Sequence, residues 1–460
     1  MTFHGRTLEL KKLSHFFIDS TENLALVYGR RRVGKSELIK HAIRSTTIKA
    51  IYFECKQSSE ANNVDSLSVL IDEILHCGRM AFKDFESLLS FLFSSCRTDT
   101  TILVLDEYPY LRDLVPGLDS ILQALVDQFR DTSKLKIILC GSFIDTMKSL
   151  LEYKNPLFGR CGSILHIEPM DYLDSALFYP TFSNEDKVRL YSVFGGIPYY
   201  NRLIDSKKSV QENIIDLVAS PDARLVHEVP MFLKAELSKI NNANAVFETL
   251  AMGVTKYKDL LDRSHVSTGP LLIDILNRLI QMGLVKKETP INDESNKKKT
   301  FYRIDDNMSR FFYRYVFRHL SQLSMLDSNV FYKRYIDDDF ENQFVPECFE
   351  EIARQYLIRC NRQGRIDPPF FKIGKFHYDL PKEQRNGEFD VVTEDDRGYI
   401  CYEAKFKQSA LTNALINKEI EQVQQSPINA YRYGFISRAG YQKIEPREEL
   451  ILITLEDLYH

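Results

Sequence analysis

The sequence has no apolar run that approaches the roughly 20 residues needed to span a bilayer, and its start, MTFHGRTLELKK, lacks the apolar core of a signal peptide. We therefore expect a cytoplasmic protein that has no membrane contact. The 8 cysteines include no Cys-x-x-Cys pair, and several of them lie in apolar, strand-like runs. This spacing is typical of reduced, buried thiols and argues against zinc sites and disulfide frameworks.

A strong charge of one sign is also missing, because 60 lysines and arginines against 64 aspartates and glutamates leave a formal net charge of −4. The chain as a whole should not attract nucleic acid, so any such binding must come from local basic patches. What is present is a globular composition, with 44% hydrophobic and 27% charged residues over 460 positions. That length exceeds what one hydrophobic core organises and predicts several domains.

The segment NLALVYGRRRVGKSELIKHAI contains the pattern G-x-x-x-x-G-K-[ST] between an apolar strand and a helical pattern. This is the phosphate-binding P-loop. Its backbone N–H groups would surround the β-phosphate of ATP, while Lys35 reaches the β and γ oxygens and Ser36 offers its hydroxyl to Mg²⁺. The predicted nucleotide-binding residues are Gly29, Arg30, Arg31, Arg32, Val33, Gly34, Lys35, Ser36 and Glu37.

Two further apolar strands end in polar residues. The segment TTILVLDEYPYL begins with an apolar strand that resembles a Walker B strand, and this strand ends in Asp106 and Glu107. Asp106 would hold Mg²⁺ through its water shell, and Glu107 would polarise the attacking water. KLKIILCGSF ends in Ser142, which either senses the γ-phosphate or belongs to a plain Gly-Ser turn.

Several segments resemble the archaeal-type ATPases, which are AAA-class P-loop proteins of the signal-transduction group. FHGRTLELKKL resembles their N-terminal motif, NPLFGRCGSILHIEPM their Pro-Leu-aromatic-Gly-Arg element, and YSVFGGIPYYNRLI the Gly-Gly-Ile-Pro segment of their helical lid. The resemblance implies ATP and Mg²⁺ as cofactors. It also implies that Arg160 stabilises charge near the nucleotide or across a subunit interface, with a salt-bridged surface arginine as the alternative. Gly195, Gly196 and Pro198 are expected to shape a turn between lid helices.

From about residue 231 the pattern changes to three short amphipathic helices and a hairpin, the order of a winged helix-turn-helix. The third helix is predicted to begin at a capping Ser267 and to end at Gly283. One arginine beside an aspartate on its outer face is a poor electrostatic footprint for DNA, so a protein-contact role stays open. If this helix lay in a major groove, its outward residues would be Asp274, Asn277, Arg278 and Gln281, with Lys297, Lys298 and Lys299 of the wing at phosphate.

The stretch GEFDVVTEDDRGYICYEAKFK, residues 387–407, is predicted to form two strands around a tight turn. If DDRG is a four-residue loop, Glu394 pairs with Tyr399, and Asp390 then faces Glu403 closely enough to share one cation. Lys405 follows on the same face, because side chains in a strand alternate with a period of two. It could orient or activate a water molecule.

The preceding helix, NQFVPECFEEIARQYLIRC, carries Glu350 and Glu351, and FKIGKFHYDL, interpreted as a strand pair, follows it. This order resembles the PD-(D/E)XK nucleases. The resemblance implies an active site of Asp390, Glu403, Lys405 and Glu350, in which Asp390 and Glu403 bind a divalent metal ion. An ordinary charged strand face is the competing interpretation.

Together these features predict an α/β protein. We expect a P-loop ATPase core at 1–168, a helical lid at 169–230, a winged helix-turn-helix with its connector at 231–335, and a small restriction-endonuclease-like α/β domain at 336–460. The predicted function is an ATP-hydrolysing switch that controls a metal-dependent, nuclease-like domain and binds DNA through its last two domains. The alternative is a nucleotide-regulated adaptor that binds DNA or protein and cleaves nothing.

Overall fold

The computed structural model describes residues 3–231, 242–296, 299–380 and 385–460. Within these ranges no helix is both long enough and apolar enough to cross a membrane. The chain forms two compact units: the first runs to Pro169 and includes Ile197–Tyr199, and the second holds Met170–Gly196 and Tyr200–His460. The finer division of the second unit into lid, winged helix and nuclease-like domain stays a prediction.

The first unit is an α/β P-loop ATPase-like core built on five parallel strands: β1 (Leu24–Tyr28), β2 (Lys49–Glu54), β3 (Thr101–Asp106), β4 (Leu135–Gly141) and β5 (Ser163–His166). Their order across the sheet is β2-β3-β4-β1-β5. β1, β3 and β4 are buried along their whole length, as a parallel sheet covered on both faces requires.

Helices of the first unit surround this sheet. Side chains along β1 alternate between its two faces, so Leu24 and Leu26 join one apolar cluster while Ala25 and Val27 join the other. The helices are Thr7–Ile18, Lys35–Arg44, Glu60–Leu75, Phe85–Ser95, Tyr108–Leu114, Leu118–Phe129 and Ile144–Ser149.

The sheet order gathers the predicted nucleotide motifs. β3, β4 and β1 are neighbours, and parallel strands present their carboxyl ends at one edge of the sheet. The P-loop follows β1, Asp106 ends β3, and Ser142 follows β4 directly. All three motifs therefore lie side by side at that edge.

The second unit begins with helices that include Tyr172–Ala176, Asn184–Phe194 and Val210–Leu217. Three more helices, Ala243–Ala251, Tyr257–Arg263 and Gly269–Gln281, precede an antiparallel hairpin of β6 (Val285–Glu288) and β7 (Phe301–Ile304). A largely helical stretch then leads to the long helix Val345–Arg362 through Asn307–Phe311, Leu320–Met325, Ser328–Tyr335 and Asp337–Asp339, with π-helical turns at Phe312–Val316 and Phe340–Phe344.

The predicted start of the helix Gly269–Gln281 was wrong by one residue. Thr268, and not Ser267, is the N-cap, because its side chain accepts a hydrogen bond from the backbone N–H of Leu271. Gly283 follows the helix with φ 67°, in the left-handed region that favours glycine at helix ends.

The C-terminal part of the second unit is a mixed five-stranded sheet of β8 (Lys372–Leu380), β9 (Arg385–Asp395), β10 (Gly398–Lys405), β12 (Ala430–Ser437) and β14 (Leu450–Thr454). The order is β14-β12-β10-β9-β8, with β8, β9 and β10 antiparallel and β10, β12 and β14 parallel. The segment FKIGKFHYDL was predicted to be a strand pair, and it is the single strand β8. The remaining elements include the helix Asn413–Gln424 and the short strands β11 (Leu411–Thr412) and β13 (Tyr441–Gln442).

The register of the hairpin β9–β10 confirms the predicted pairing of Glu394 with Tyr399. Asp395 also pairs with Gly398, so the loop has two residues, 396 and 397, and not the four predicted. The shorter loop preserves the register because it adds one pair to the ladder without shifting it. The ladder reaches Tyr402 opposite Val391, and one more step in the same register sets Asp390 opposite Glu403.

Candidate functional site

The P-loop holds its lysine in a closed arrangement. The Lys35 ammonium donates to the carbonyl oxygens of Gly29 at 2.8 Å and Arg30 at 3.0 Å. Gly34 precedes the helix Lys35–Arg44 with φ 94°, a left-handed conformation that glycine adopts without a Cβ clash. Burial lowers the pKa of Lys35, and the nearby carboxylates Glu107 and Asp106 oppose this shift.

The predicted magnesium ligands contact each other directly. The Ser36 hydroxyl donates to Asp106 Oδ2 at 2.7 Å, and the Tyr52 hydroxyl donates to the same oxygen in a short hydrogen bond. Burial opposes ionisation of Asp106, but hydrogen bonds from Cys140, Tyr52 and Ser36 outweigh it and lower the pKa of Asp106. An ionised carboxylate beside a hydroxyl is a donor set that suits Mg²⁺.

Ser142 links the lysine to the predicted base. The Lys35 ammonium donates to Ser142 Oγ at 2.9 Å, and Ser142 Oγ donates to Glu107 Oε1 at 3.0 Å. The backbone N–H of Ser142 also points to Glu107 Oε2 at 3.4 Å. Ser142 therefore contacts both Lys35 and Glu107, the two residues predicted to act at the γ-phosphate.

The arginines of the first unit take different places. Arg6 donates to the carbonyl oxygens of Val33 at 3.2 Å and Glu168 at 2.6 Å, which fixes the end of the P-loop to the segment after β5. Within the P-loop, the Arg31 guanidinium reaches the Tyr110 hydroxyl at 3.3 Å. Arg32 lies over the Tyr199 ring with its guanidinium carbon 4.2 Å from the ring centroid.

Arg160 lies away from the P-loop. The N–H of Gly162 bonds to the carbonyl of Leu24, the first residue of β1, whereas the P-loop follows the last residue of that strand. The Arg160 guanidinium forms a bidentate pair with Asp127, in which Nε donates to Oδ1 at 3.1 Å and Nη2 donates to Oδ2 at 2.7 Å. This place matches the salt-bridged surface arginine and not an arginine beside the nucleotide of its own chain. A role across a subunit interface stays a prediction.

A pocket of about 290 Å³ opens on the C-terminal sheet. Its lining includes three of the four predicted residues, Asp390, Glu403 and Lys405, together with Glu419 of the helix Asn413–Gln424. Glu350 is placed beside these carboxylates by the long helix. Burial raises the pKa of Glu350 to about 8, and the negative charges of Asp390 and Glu403 add to this rise.

Lysines pair with both proposed metal ligands. Lys405 forms a short ion pair with Glu403 and lies 3.5 Å from Glu419, and Lys375 of β8 forms a short ion pair with Asp390. Burial raises the pKa of Glu403, Lys405 opposes that rise, and Glu419 and Asp390 add to it. In the described part of the chain, no three His, Cys, Asp or Glu side chains are grouped closely enough to hold a metal ion.

Sequence reasoning missed Tyr52, Cys140, Lys375 and Glu419. Tyr52 and Cys140 lie in apolar strands, where no pattern marks them as partners of Asp106. Lys375 lies where the ladder between β8 and β9 shifts, between Gly374 and Phe376, so strand alternation alone misplaces its side chain. For Glu419, an inward position on a helix that follows β10 was the one available signal.

The predicted DNA-facing surface is exposed. Asp274, Asn277, Arg278 and Gln281 all lie on the outer face of Gly269–Gln281, as expected. Arg278 pairs with Asp274 at 3.2 Å, so the arginine of this face is partly neutralised. Lys299 pairs with Asp293 at 2.9 Å, while Lys297 and Lys298 lie outside the described residues.

Two family models match separate parts of the chain. Residues 3–203 match the model of an ATPase domain found predominantly in Archaea. Residues 312–423 match a family of archaeal and bacterial proteins of unknown function. A protein of Methanocaldococcus jannaschii, described as uncharacterized, is 28% identical over 411 residues, which are 88% of each chain.

Solved structures resemble the fold over about two thirds of the chain. A Walker-type ATPase of Pyrococcus abyssi aligns with a TM-score of 0.53 and 18% identity, covering 68% of this chain and 96% of its own. At that identity the likeness is one of fold. The ORC2 protein of Aeropyrum pernix aligns with a TM-score of 0.45 and 13% identity, covering 67% of this chain and 92% of its own, and so weak a likeness supports nothing further.

Proposed function

We propose that the first unit binds ATP with Mg²⁺ and hydrolyses it. The observation that supports this most directly is the continuous contact from Lys35 through Ser142 to Glu107, beside the Ser36–Asp106 pair. Lys35 exchanges its carbonyl partners for phosphate oxygens, and Glu107 accepts a proton from the attacking water. Bound Mg²⁺ would neutralise developing phosphate charge from a place beside Ser36 and Asp106.

Ser142 gives this site a route by which the nucleotide state can be sensed. Its hydroxyl accepts from Lys35 and donates to Glu107, so a γ-phosphate that draws Lys35 away changes the environment of Glu107 at the same time. The sequence left two interpretations of Ser142 open, a γ-phosphate sensor and a plain turn. We propose that it is a sensor.

The second unit is proposed to contain a winged helix-turn-helix and a PD-(D/E)XK nuclease-like domain whose activity the nucleotide state controls. The supporting observation is the pocket that gathers Asp390, Glu403 and Lys405, with Glu350 adjacent. The carboxylates of Asp390 and Glu403, on neighbouring strands, are oxygen ligands of the kind that Mg²⁺ and Mn²⁺ favour, with water completing the coordination shell. Lys405, which pairs with Glu403, would orient a water or a phosphate oxygen. The proposed substrate is DNA.

Purified protein incubated with plasmid, linear and single-stranded DNA tests the proposal. We expect cleavage with Mg²⁺ or Mn²⁺ that depends on ATP, and we expect none from Glu403→Gln. Lys35→Ala is the matched control for the ATPase site, because it leaves the nuclease-like pocket intact. Cleavage that Glu403→Gln retains would show a contaminating nuclease and would remove the support for this site.

A second candidate function is a nucleotide-regulated adaptor that binds DNA or protein without cleavage. The ion pair between Asp274 and Arg278 favours it, because it leaves the exposed face of the third helix with little net positive charge. DNA binding without cleavage under every metal and nucleotide condition would establish the adaptor. Absence of DNA binding as well would point to a protein partner.

A further inference from the structure

The loop of the hairpin β6–β7 contacts β8 at Gly374, Lys375 and His377. The N–H of Ile291, in the hairpin loop, donates to the carbonyl of Lys375 at 2.9 Å. The side chain of Asn292 forms two hydrogen bonds with the backbone of His377. Its amide N–H donates to the His377 carbonyl at 2.9 Å, and its oxygen accepts from the His377 N–H at 3.2 Å. A Cβ on Gly374 would lie 2.7 Å from Ile291, so glycine is what lets the hairpin approach this closely.

The side chain of Lys375 extends from this contact into the candidate metal site. Its ammonium forms the short ion pair with Asp390 and lies 3.3 Å from Glu388. The same ammonium lies 5.8 Å from the centroid of the Phe301 ring on β7. The hairpin thus contacts both the backbone and the side chain of Lys375. The ammonium of Lys375 pairs with Asp390, a proposed metal ligand.

The strands of the hairpin also form ion pairs with the long helix Val345–Arg362, which carries Glu350. Arg303 of β7 contacts Glu288 at 2.9 Å and Glu351 at 2.6 Å, and Arg354 contacts Glu351 at 3.3 Å and Glu288 at 3.5 Å. Glu351 directly follows Glu350 on the long helix. One hairpin therefore contacts both the strand that carries Lys375 and the helix that carries Glu350.

We propose that Lys375 is a positioning residue that competes with a divalent cation for Asp390, and that the hairpin β6–β7 sets the strength of this competition. This inference rests on the proposed function of the C-terminal site. A divalent cation needs the Asp390 oxygen that the Lys375 ammonium contacts, so binding of the cation requires the lysine to withdraw. The hairpin contacts at Ile291, Asn292 and Phe301 hold the lysine forward, and a shift of the hairpin releases it.

Calorimetric titration of the full chain with Mn²⁺ tests the competition. We expect Lys375→Met to bind Mn²⁺ about tenfold more tightly than the parent, a difference of about 1.4 kcal/mol. Lys375→Arg keeps the charge and should stay near the parental affinity. Lys407→Met makes the same change of net charge at an exposed position and should also leave the affinity unchanged.

A double-mutant cycle tests the part played by the hairpin. Asn292→Ala should tighten Mn²⁺ binding in the parent and have no effect in the Lys375→Met background, because the lysine through which it acts is then absent. Equal effects in both backgrounds would overturn the role of the hairpin. Unchanged or weaker binding by Lys375→Met would overturn the competition. Absence of Mn²⁺ binding by the parent and by Lys375→Met alike would instead overturn the proposed metal site itself.

Discussion

Glu107 lies at the point where β3 turns into the helix Tyr108–Leu114, with φ 54°. A residue with a Cβ in this left-handed region is strained, and such strain is typical of functional positions. We predict that Glu107→Gln binds ATP like the parent but hydrolyses it about 10²–10⁴-fold more slowly, because the base is lost while Lys35 and Asp106 remain. Lys35→Ala, in contrast, should lose both ATP binding and ATP hydrolysis. Single-turnover hydrolysis and equilibrium binding separate the two, and parental turnover by Glu107→Gln would refute its role.

Glu350 is a carboxylate whose folded environment favours the neutral form. Since burial and then Asp390 raise its pKa from 4.5 to about 8, its contribution to stability is full below pH 4.5 and is lost as the pH rises through 8. We predict that Glu350→Gln stabilises the protein by about 1–3 kcal/mol above pH 8, with the gain shrinking toward pH 5. Urea unfolding of both proteins at pH 5 and pH 9 measures the difference, and an equal gain at both values would contradict the prediction.

The contact between Lys375 and Asp390 changes the expected effect of Asp390→Asn on stability. From the sequence, Asp390 and Glu403 face each other and should repel in the absence of a cation, so Asp390→Asn would be neutral or stabilising. In the structure each carboxylate has its own lysine. Removing the charge of Asp390 therefore leaves Lys375 without its main counter-charge, and the expected gain in stability no longer follows.

At the scale of elements, the strand register within the hairpin β9–β10 and the order of the nucleotide motifs were predictable from the sequence. The contacts between elements that lie far apart in the chain were not. Local sequence sets the P-loop after β1 and the register of β9–β10, because loop chemistry and strand period act over a few residues. The contact of the hairpin with β8, beside the bulge at Lys375, depends on residues far apart in the chain, such as Asn292 and His377, which are 85 positions apart. No local pattern encodes such contacts.

The four mostly buried charges between the hairpin β6–β7 and the long helix are balanced, with Glu288 and Glu351 against Arg303 and Arg354, while the more exposed Lys286 also lies 3.2 Å from Glu288. We predict that Glu351→Gln destabilises the protein by about 3–5 kcal/mol, because it leaves two arginines with one carboxylate in a mostly buried place. Combining it with Arg303→Met restores the balance and should cost less than the sum of the single changes. Denaturant unfolding of the four proteins measures this, and strict additivity would count against a coupled cluster.

The proposed winged helix can be tested through its salt dependence. We predict that replacing Lys297, Lys298 and Lys299 together with alanine weakens DNA binding and lowers the salt slope by up to about 0.9 log unit for each lysine–phosphate ion pair that the substitution removes. The described pair of Lys299 with Asp293 means that this lysine should contribute less than a free one. A slope that the triple variant leaves unchanged would move the hairpin from DNA contact to its structural role on β8.

At the scale of the whole molecule, the proposed control of DNA binding by the nucleotide state is a coupling free energy, and such a coupling must be reciprocal. If ATP changes the affinity for DNA by some factor, DNA must change the affinity for ATP by the same factor. Glu107→Gln is the protein in which to measure both, because ATP is expected to stay intact through each titration. We predict equal factors of about 5–150 in the two directions and a DNA affinity of Lys35→Ala that does not respond to ATP. A DNA affinity that ATP leaves unchanged in Glu107→Gln would mean that the two units work independently, and the switch function would then be wrong even if both sites are active.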